Sequence, residues 1–134
     1  MKSIFVTVLV LLFAGAVSAQ DEKLSVSDVI SAQIDAFQVD DFESAFEYAT
    51  PVIRRIFGNH ERFGQMVRNG FPMVWRTSDV RYLETREAGG RLYQKVLVTD
   101  ADGVFHALEY EMIETENGWQ INGVQLLAAP DVGA

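Results

Sequence analysis

The fold is decided by the stretch Val80–Leu127, which reads VRYLETREAGGRLYQKVLVTDADGVFHALEYEMIETENGWQINGVQLL. Four of its segments are rich in β-branched and aromatic residues, and three short segments between them have the composition of tight turns. Gly89-Gly90 and Asn117-Gly118 suit two-residue hairpin turns, and Asp100–Gly103 suits a type I turn with glycine in the left-handed bulge position. The stretch therefore predicts one antiparallel sheet of four strands.

One register of these strands satisfies the hydrophobic pattern and the charge pattern together. The Asp100–Gly103 turn puts the even-numbered residues of Leu92–Met112 on one face, and it puts Lys95 opposite Glu109 on the other face. The first hairpin turn then places Glu84 opposite Lys95. We therefore expect a row of alternating charge across three strands on the outer face.

The last strand is expected to bring Trp119 and Ile121 onto the inner face. Beyond Gly123 the apolar residues no longer alternate regularly, which predicts a bulge that bends the strand.

Short helices are predicted before the sheet, because capping residues precede apolar residues at three- and four-residue steps. Ser25 begins the first helix, with Asp28 completing a weak capping box. The predicted caps of the following helices are Asp40, Thr50 (before Pro51) and Asn59. The residues expected to face the core are Val26, Val29, Ile30, Ile34, Phe37, Phe42, Ala45, Phe46, Ala49, Ile53, Ile56, Phe57, Phe63, Met66 and Val67.

A change of structure is predicted where the helices meet the sheet. Gly70 is expected to end the last helix in a left-handed conformation. Residues 70–76 are expected to form an extended connection, because Pro72 disfavours a helical residue before it. Helices followed by an antiparallel sheet give an α+β fold, in which the helices pack on a curved four-stranded antiparallel sheet.

Residues 1–19 have the pattern of a secretory signal peptide: Lys2, the apolar run Ile4–Phe13, and the small residues Val17-Ser18-Ala19. The apolar run is shorter than the about 20 residues needed to cross a bilayer. We expect cleavage after Ala19, a periplasmic or secreted location, and no membrane association of the mature chain. Residues 20–128 then form a single domain, and residues 129–134 form a loose tail.

Composition narrows the range of partners. The chain has no cysteine, so it holds no disulfide, and its net charge of −8 disfavours nucleic acid and anionic lipid as partners. Residues 51–99 are nevertheless basic, with nine Lys or Arg and four Asp or Glu residues. These bases either pair with acidic neighbours inside the fold or mark an anion site.

Three segments carry a resemblance to known proteins: Val29–Phe37 (VISAQIDAF), Gly70–Arg76 (GFPMVWR) and Trp119–Val124 (WQINGV). They resemble a family of small exported bacterial proteins, the domain-of-unknown-function family 4864. The order of elements also resembles the nuclear transport factor two-like, or SnoaL-like, superfamily. The resemblance implies a cone-shaped fold with a pocket at its open end, and it implies no particular activity.

A ligand pocket is predicted where polar residues lie on the otherwise apolar inner face. These residues are Arg81, Thr85, Gln94, His106 and Tyr110, with Trp75 and Arg76 able to close the opening. Buried polar groups are either satisfied within the protein or line a wet pocket. The first hypothesis is therefore a non-catalytic domain that binds a small apolar or carboxylate-bearing ligand.

Two other function classes stay open at this point. A protein-interaction or homodimerisation module could use large side chains predicted on the outer sheet face: Tyr82, Tyr93, Leu97, Phe105 and Ile113. A lyase, isomerase or hydrolase would need a carboxylate on the inner face, where the mid-strand positions offer none. His60 and His106 lack metal-ligand spacing, and no nucleophile or phosphate-loop motif occurs, so we assign no catalytic residue, metal or cofactor.

Overall fold

The computed structural model describes residues 24–128, in which helices are followed by a four-stranded antiparallel sheet. The predicted signal peptide and tail lie outside the described residues. The helices are α1 (Val26–Gln38), α2 (Phe42–Glu47), α3 (Pro51–Phe57), α4 (His60–Gly70) and α5 (Pro72–Trp75). The strands, ordered in the sheet as along the chain, are β1 (Thr77–Ala88), β2 (Arg91–Asp100), β3 (Phe105–Thr115) and β4 (Gly118–Leu126). The predicted α+β fold is confirmed.

Side-chain caps begin four of these helices. Ser25 and Asp28 form the predicted capping box of α1, and Thr50 and Asn59 cap α3 and α4 as expected. The predicted cap of α2 is wrong by one residue. Asp41 accepts the Ser44 amide there, while the preceding residue adopts a left-handed conformation that places its carboxylate elsewhere.

The predicted end of α4 and the extended connection after it are also wrong. Gly70 is the last helical residue and does not have a positive φ. Pro72 opens the short helix α5 at its first turn, where a missing N–H is harmless because no intrahelical acceptor exists for it. The proline therefore begins a new helix that turns the chain into β1.

The predicted register of the two central strands is confirmed. Lys95 pairs with Glu109, and Val96 and Leu108 are fully buried on the inner face. The Lys95 ammonium lies 2.7 Å from Glu84, as expected. The Glu109 carboxylate, however, receives the guanidinium of Arg86 at 2.7 Å. The outer face therefore carries two cross-strand ion pairs, Glu84–Lys95 and Arg86–Glu109, in place of the predicted row in which Lys95 bonds to both glutamates.

A β-bulge in β1 overturns the predicted placement of two side chains. Tyr82 pairs with Val96 and Thr85 pairs with Gln94, so two residues of β1 share a single partner on β2. The extra residue reverses the alternation before it. Arg81, predicted inside, lies on the outer face with 71% of its side chain exposed. Tyr82, predicted outside, turns inward and bonds to Ser31 and to the Ser27 carbonyl.

A bulge does occur in β4, but the pairing beyond Gly123, where it was predicted, is regular; the bulge lies instead at Asn122, between the pairs Met112–Ile121 and Glu111–Gly123. At the same place the chain between α2 and α3 joins the sheet. The Ile121 amide donates to the Tyr48 carbonyl at 2.8 Å, and the Thr50 amide donates to the Ile121 carbonyl at 2.9 Å. This parallel bridge holds the start of α3 against β4.

The core lies between the inner sheet face and the helices. Its largest fully buried side chains are Tyr110, Phe37, Ile30, Leu108, Met112, Val96 and Val98. The prediction that Ile56 is buried is wrong, because α3 contains no fully buried residue and Ile56 is 67% exposed. Among the described residues, no helix has the length and hydropathy needed to cross a membrane.

Candidate functional site

A cavity of about 230 Å³ lies between the helices and the inner face of β3 and β4. Residues from α1, α3, α4 and α5 form its walls together with residues from the two strands. They are Gln33, Phe37, Ala49, Ile53, Phe57, Phe63, Met66, Val67, Phe71, Val74, Tyr110, Ile121, Gly123 and Val124. A concave, mostly apolar space that receives few polar groups is the usual form of a small-molecule site.

Aromatic rings dominate the helical wall of this cavity. Phe63 lies at its centre, with ring centroids 6.0 Å from Phe37 and 5.8 Å from Phe57. The second pair is edge-to-face, a favourable arrangement of two aromatic quadrupoles. These rings come from three separate helices, so the wall forms only when the helices are packed on one another.

Two polar side chains, Gln33 and Tyr110, are among the lining residues. Gln33 is buried, and its amide nitrogen donates to the Ala45 carbonyl at 3.1 Å, which leaves its side-chain oxygen as an acceptor. Tyr110 is also buried, and burial raises the pKa of its phenol. Its hydroxyl therefore stays protonated at physiological pH and can donate or accept one hydrogen bond.

The helix α3 is the wall with the least packing. Ile53 and Phe57 face the cavity, whereas Val52 and Ile56 are 48% and 67% exposed on its other side. A wall without fully buried residues can open at a lower free energy than one held by buried contacts.

Of the residues predicted to form the site, only Tyr110 lines the cavity. Trp75 and Arg76 instead bind Asp40 in the turn after α1. The Trp75 indole donates to Asp40 at 2.8 Å, and the Arg76 guanidinium donates to both of its carboxylate oxygens at 3.0 and 3.1 Å. The guanidinium also stacks on the indole ring. These contacts fasten α5 to the end of α1.

Gln94 and His106 face inward as predicted, but each has a local partner. The buried Gln94 amide donates to the Leu83 carbonyl at 2.9 Å, inside the β1 bulge. His106 lies at the start of β3, where its Nε2 is 2.8 Å from the Asp100 carboxylate at the end of β2. These two side chains therefore form hydrogen bonds within the sheet, and neither lines the cavity.

Arg81 and Thr85 are both solvent-exposed. Arg81 lies on the outer face beside Asp79, at 3.4 Å. Thr85 keeps the inward side opposite Gln94, on a half of β1 that the helices do not cover. Arg81 and Thr85, both predicted to line the pocket, are therefore not part of the cavity lining.

Gln33 is the cavity residue that the sequence reasoning missed. It lies three residues after Ile30 and four before Phe37, within the apolar stripe of α1. A polar side chain within the apolar stripe of a helix is expected to be buried. The spacing of Gln33 from Ile30 and Phe37 could therefore have identified it. The phenylalanines were predicted as core residues, whereas several of them border open space.

The cavity lining contains no charged side chain and no carboxylate. Among residues 24–128, no group of three or more potential metal ligands is found. A general base for proton abstraction is therefore missing from this site, and an ionised ligand would enter it without a counter-ion. The lining thus offers no counter-ion to a charged group that enters it.

The family model described as Domain of unknown function (DUF4864) matches residues 19–134. No curated protein sequence matches the chain. The chain is similar in structure to a SEC-C motif containing protein from Rhodopseudomonas palustris, solved in solution, with a TM-score of 0.58 and 16% sequence identity; the match covers 85% of this chain and 88% of that one. At that identity the likeness shows the fold alone.

Proposed function

The chain belongs to the family described as Domain of unknown function (DUF4864), and from that premise, which supplies no activity, we propose that the protein binds a small apolar molecule without transforming it. The observation that carries the proposal is the apolar cavity of about 230 Å³ between the helices and the sheet. Well-packed protein interiors contain few voids larger than a water molecule. A concave apolar space of this kind, partly open to solvent, suits a small-molecule occupant.

The arrangement of walls supports reversible binding. Phe37 and Phe63 are held by contacts across the core, so the inner wall keeps its shape when a ligand leaves. The α3 wall contains no fully buried residue, and it is joined to β4 through the Thr50 amide. Because the inner wall is already formed, few side chains have to be immobilised when a ligand binds, and the free-energy cost of ordering them is low.

We also infer a periplasmic or secreted location from the signal pattern of residues 1–19. The family match beginning at residue 19 supports this, because the shared domain starts where the signal pattern ends. Kinship with the nuclear transport factor two-like superfamily is a further proposal, supported by the order of helices and sheet and by the bulges that bend β1 and β4. Mass analysis of the amino terminus of the exported protein tests the cleavage after Ala19.

Native mass spectrometry of the protein purified from its own cell envelope tests the binding function. We expect a fraction with added mass, which is released as a small molecule on denaturation. Ala49→Leu lengthens a buried side chain in the cavity lining and should lower that fraction. The matched control Ala88→Leu, at an exposed position of β1, should leave it unchanged. Wild-type protein without any bound molecule, together with undiminished stability of Ala49→Leu, would argue for a cavity with no ligand role.

Self-association through the outer sheet face is a second candidate, favoured by the 44% exposure of Phe105 there. The rest of that face is less apolar than the sequence suggests, because Tyr82 turns inward and the Arg86 guanidinium covers the Tyr93 ring at 4.1 Å. The same mass spectra report subunit number. A dimer that is lost in Phe105→Ser would support this candidate, and a monomer at high concentration would reject it.

A further inference from the structure

We propose that the ligand is a neutral molecule with a single aromatic ring and a hydroxyl or amide group that bonds to Tyr110. The inference rests on the proposed binding function and specifies its ligand class. Of the apolar or carboxylate-bearing ligands expected from the sequence, it keeps the apolar kind, because the lining holds no cationic side chain.

Charge gives the first restriction. The lining residues carry no ionisable group other than the Tyr110 phenol, whose pKa is raised by burial. A carboxylate or ammonium group would lose its hydration in this space and gain no counter-ion, which costs more free energy than a few apolar contacts return. The ligand must therefore be uncharged when it is bound.

Size gives the second restriction. An apolar cavity of about 150 Å³ binds benzene in an engineered protein. In proportion, a cavity of 230 Å³ accommodates roughly nine non-hydrogen atoms. This is one ring with a short substituent.

The walls favour a ring over an aliphatic chain. Phe37, Phe57 and Phe63 present a mixture of ring faces and edges, and Met66 adds a polarisable sulfur. Aromatic pairs and sulfur–aromatic contacts each add to the free energy gained from buried area. A planar ring meets this wall with more such contacts than an alkyl group of equal volume.

The polar atoms define the substituent. Burial raises the pKa of the Tyr110 phenol and keeps it protonated. No hydrogen bond from a described residue lowers that pKa. Tyr110 lines the cavity, and we assign its hydroxyl to a ligand oxygen. The Gln33 side-chain oxygen can accept a hydrogen bond, because the amide nitrogen is already committed to Ala45. A hydroxyl or an amide on the ligand can both accept and donate, which suits these two groups together.

The test uses three probes of similar size: 4-ethylphenol, ethylbenzene and phenylacetate. Isothermal titration of the purified mature protein should show 4-ethylphenol binding about 3- to 10-fold tighter than ethylbenzene, the difference expected for one net hydrogen bond. Phenylacetate should not bind. Tyr110→Phe should abolish the difference between 4-ethylphenol and ethylbenzene, and a cooperative thermal unfolding transition shows that the variant is folded. Tyr93→Phe, on the outer face, should keep the difference.

The outcomes separate the two proposals. If ethylbenzene and 4-ethylphenol bind wild-type protein equally, or if phenylacetate binds as tightly as they do, the ligand class is wrong and the binding function stands. The same holds if Tyr110→Phe leaves the preference intact. If none of the three probes binds the wild-type protein, both the ligand class and the cavity's binding function are overturned.

Discussion

The side-chain amide nitrogen of Gln94 lies 2.9 Å from the carbonyl oxygen of Leu83, the residue that the β1 bulge displaces. The same nitrogen lies 2.8 Å from the Lys95 carbonyl. A bulge leaves a backbone carbonyl outside the regular ladder, and a buried amide supplies the missing donor. A residue predicted to bind a ligand therefore holds the irregularity that turns Arg81 outward.

Replacing Gln94 tests this role. Gln94→Met keeps the side-chain length and removes the donor, so the Leu83 carbonyl loses its partner. We expect the free energy of unfolding to fall by about 1–3 kcal/mol, the cost of an unsatisfied buried polar group. Urea denaturation measures this, and Gln125→Met at an exposed position of β4 is the control. Equal stability of the two variants would mean that the bulge needs no side-chain donor.

The central strands could be predicted from sequence because two independent patterns agreed. Hydrophobic alternation from Leu92 to Met112 and the pairing of Lys95 with Glu109 select the same register. The β1 bulge could not be predicted in this way, because one extra residue inverts the inward and outward assignment without changing composition. Arg81 and Tyr82 exchanged faces for that reason.

The cavity could be predicted only in part. Tyr110 was found because it is a polar residue on an apolar strand face. The aromatic wall was not found, since Phe37, Phe57 and Phe63 have the spacing of ordinary core residues. Whether packed helices enclose a void depends on their angles and separations, which a pattern along one chain does not specify.

Asp40 is the only described residue other than glycine with a positive φ, at 57°. Hydrogen bonds from Trp75 and Arg76 hold the pKa of its carboxyl below the usual value. Asp40→Asn keeps an acceptor and tolerates the left-handed conformation, whereas Asp40→Ala loses the acceptor and adds strain. We expect a lower urea midpoint for the alanine variant than for the asparagine variant. Similar midpoints would remove the role assigned to this contact.

Two glycines of α4 should respond in opposite directions to the same substitution. A Cβ at Gly64 would lie 2.8 Å from Phe42 Cγ, near the root of that side chain, so Gly64→Ala should lower the free energy of unfolding by about 1–3 kcal/mol. A Cβ at Gly70 would have nothing within 4 Å. Gly70→Ala should therefore stabilise by about 0.4–1 kcal/mol through the unfolded state. Thermal unfolding of both variants measures the contrast, and a stabilising Gly64→Ala would refute the close α2–α4 contact.

Acid should weaken the turn between β2 and β3. The hydrogen bond from His106 is the main cause that lowers the pKa of the Asp100 carboxyl below 3.8. The hydrogen bond from the Val104 amide lowers it further. In this range the unfolded state binds more protons than the folded state, so stability falls as pH decreases from about 4 through the lowered pKa. Asp100→Asn should have a shallower loss of stability between pH 4 and pH 2. Urea midpoints across that range measure it, and identical slopes for both proteins would contradict the pairing.

The binding site itself is tested most directly by mapping backbone amide chemical shifts while ethylbenzene is titrated into the labelled mature protein. We expect saturable shifts at Ala49, Val67 and Val124, which line the cavity, and no shifts at Tyr93 or Phe105 on the outer face. Shifts confined to the outer face, or none at saturating ethylbenzene, would contradict the assignment of the cavity as the ligand site.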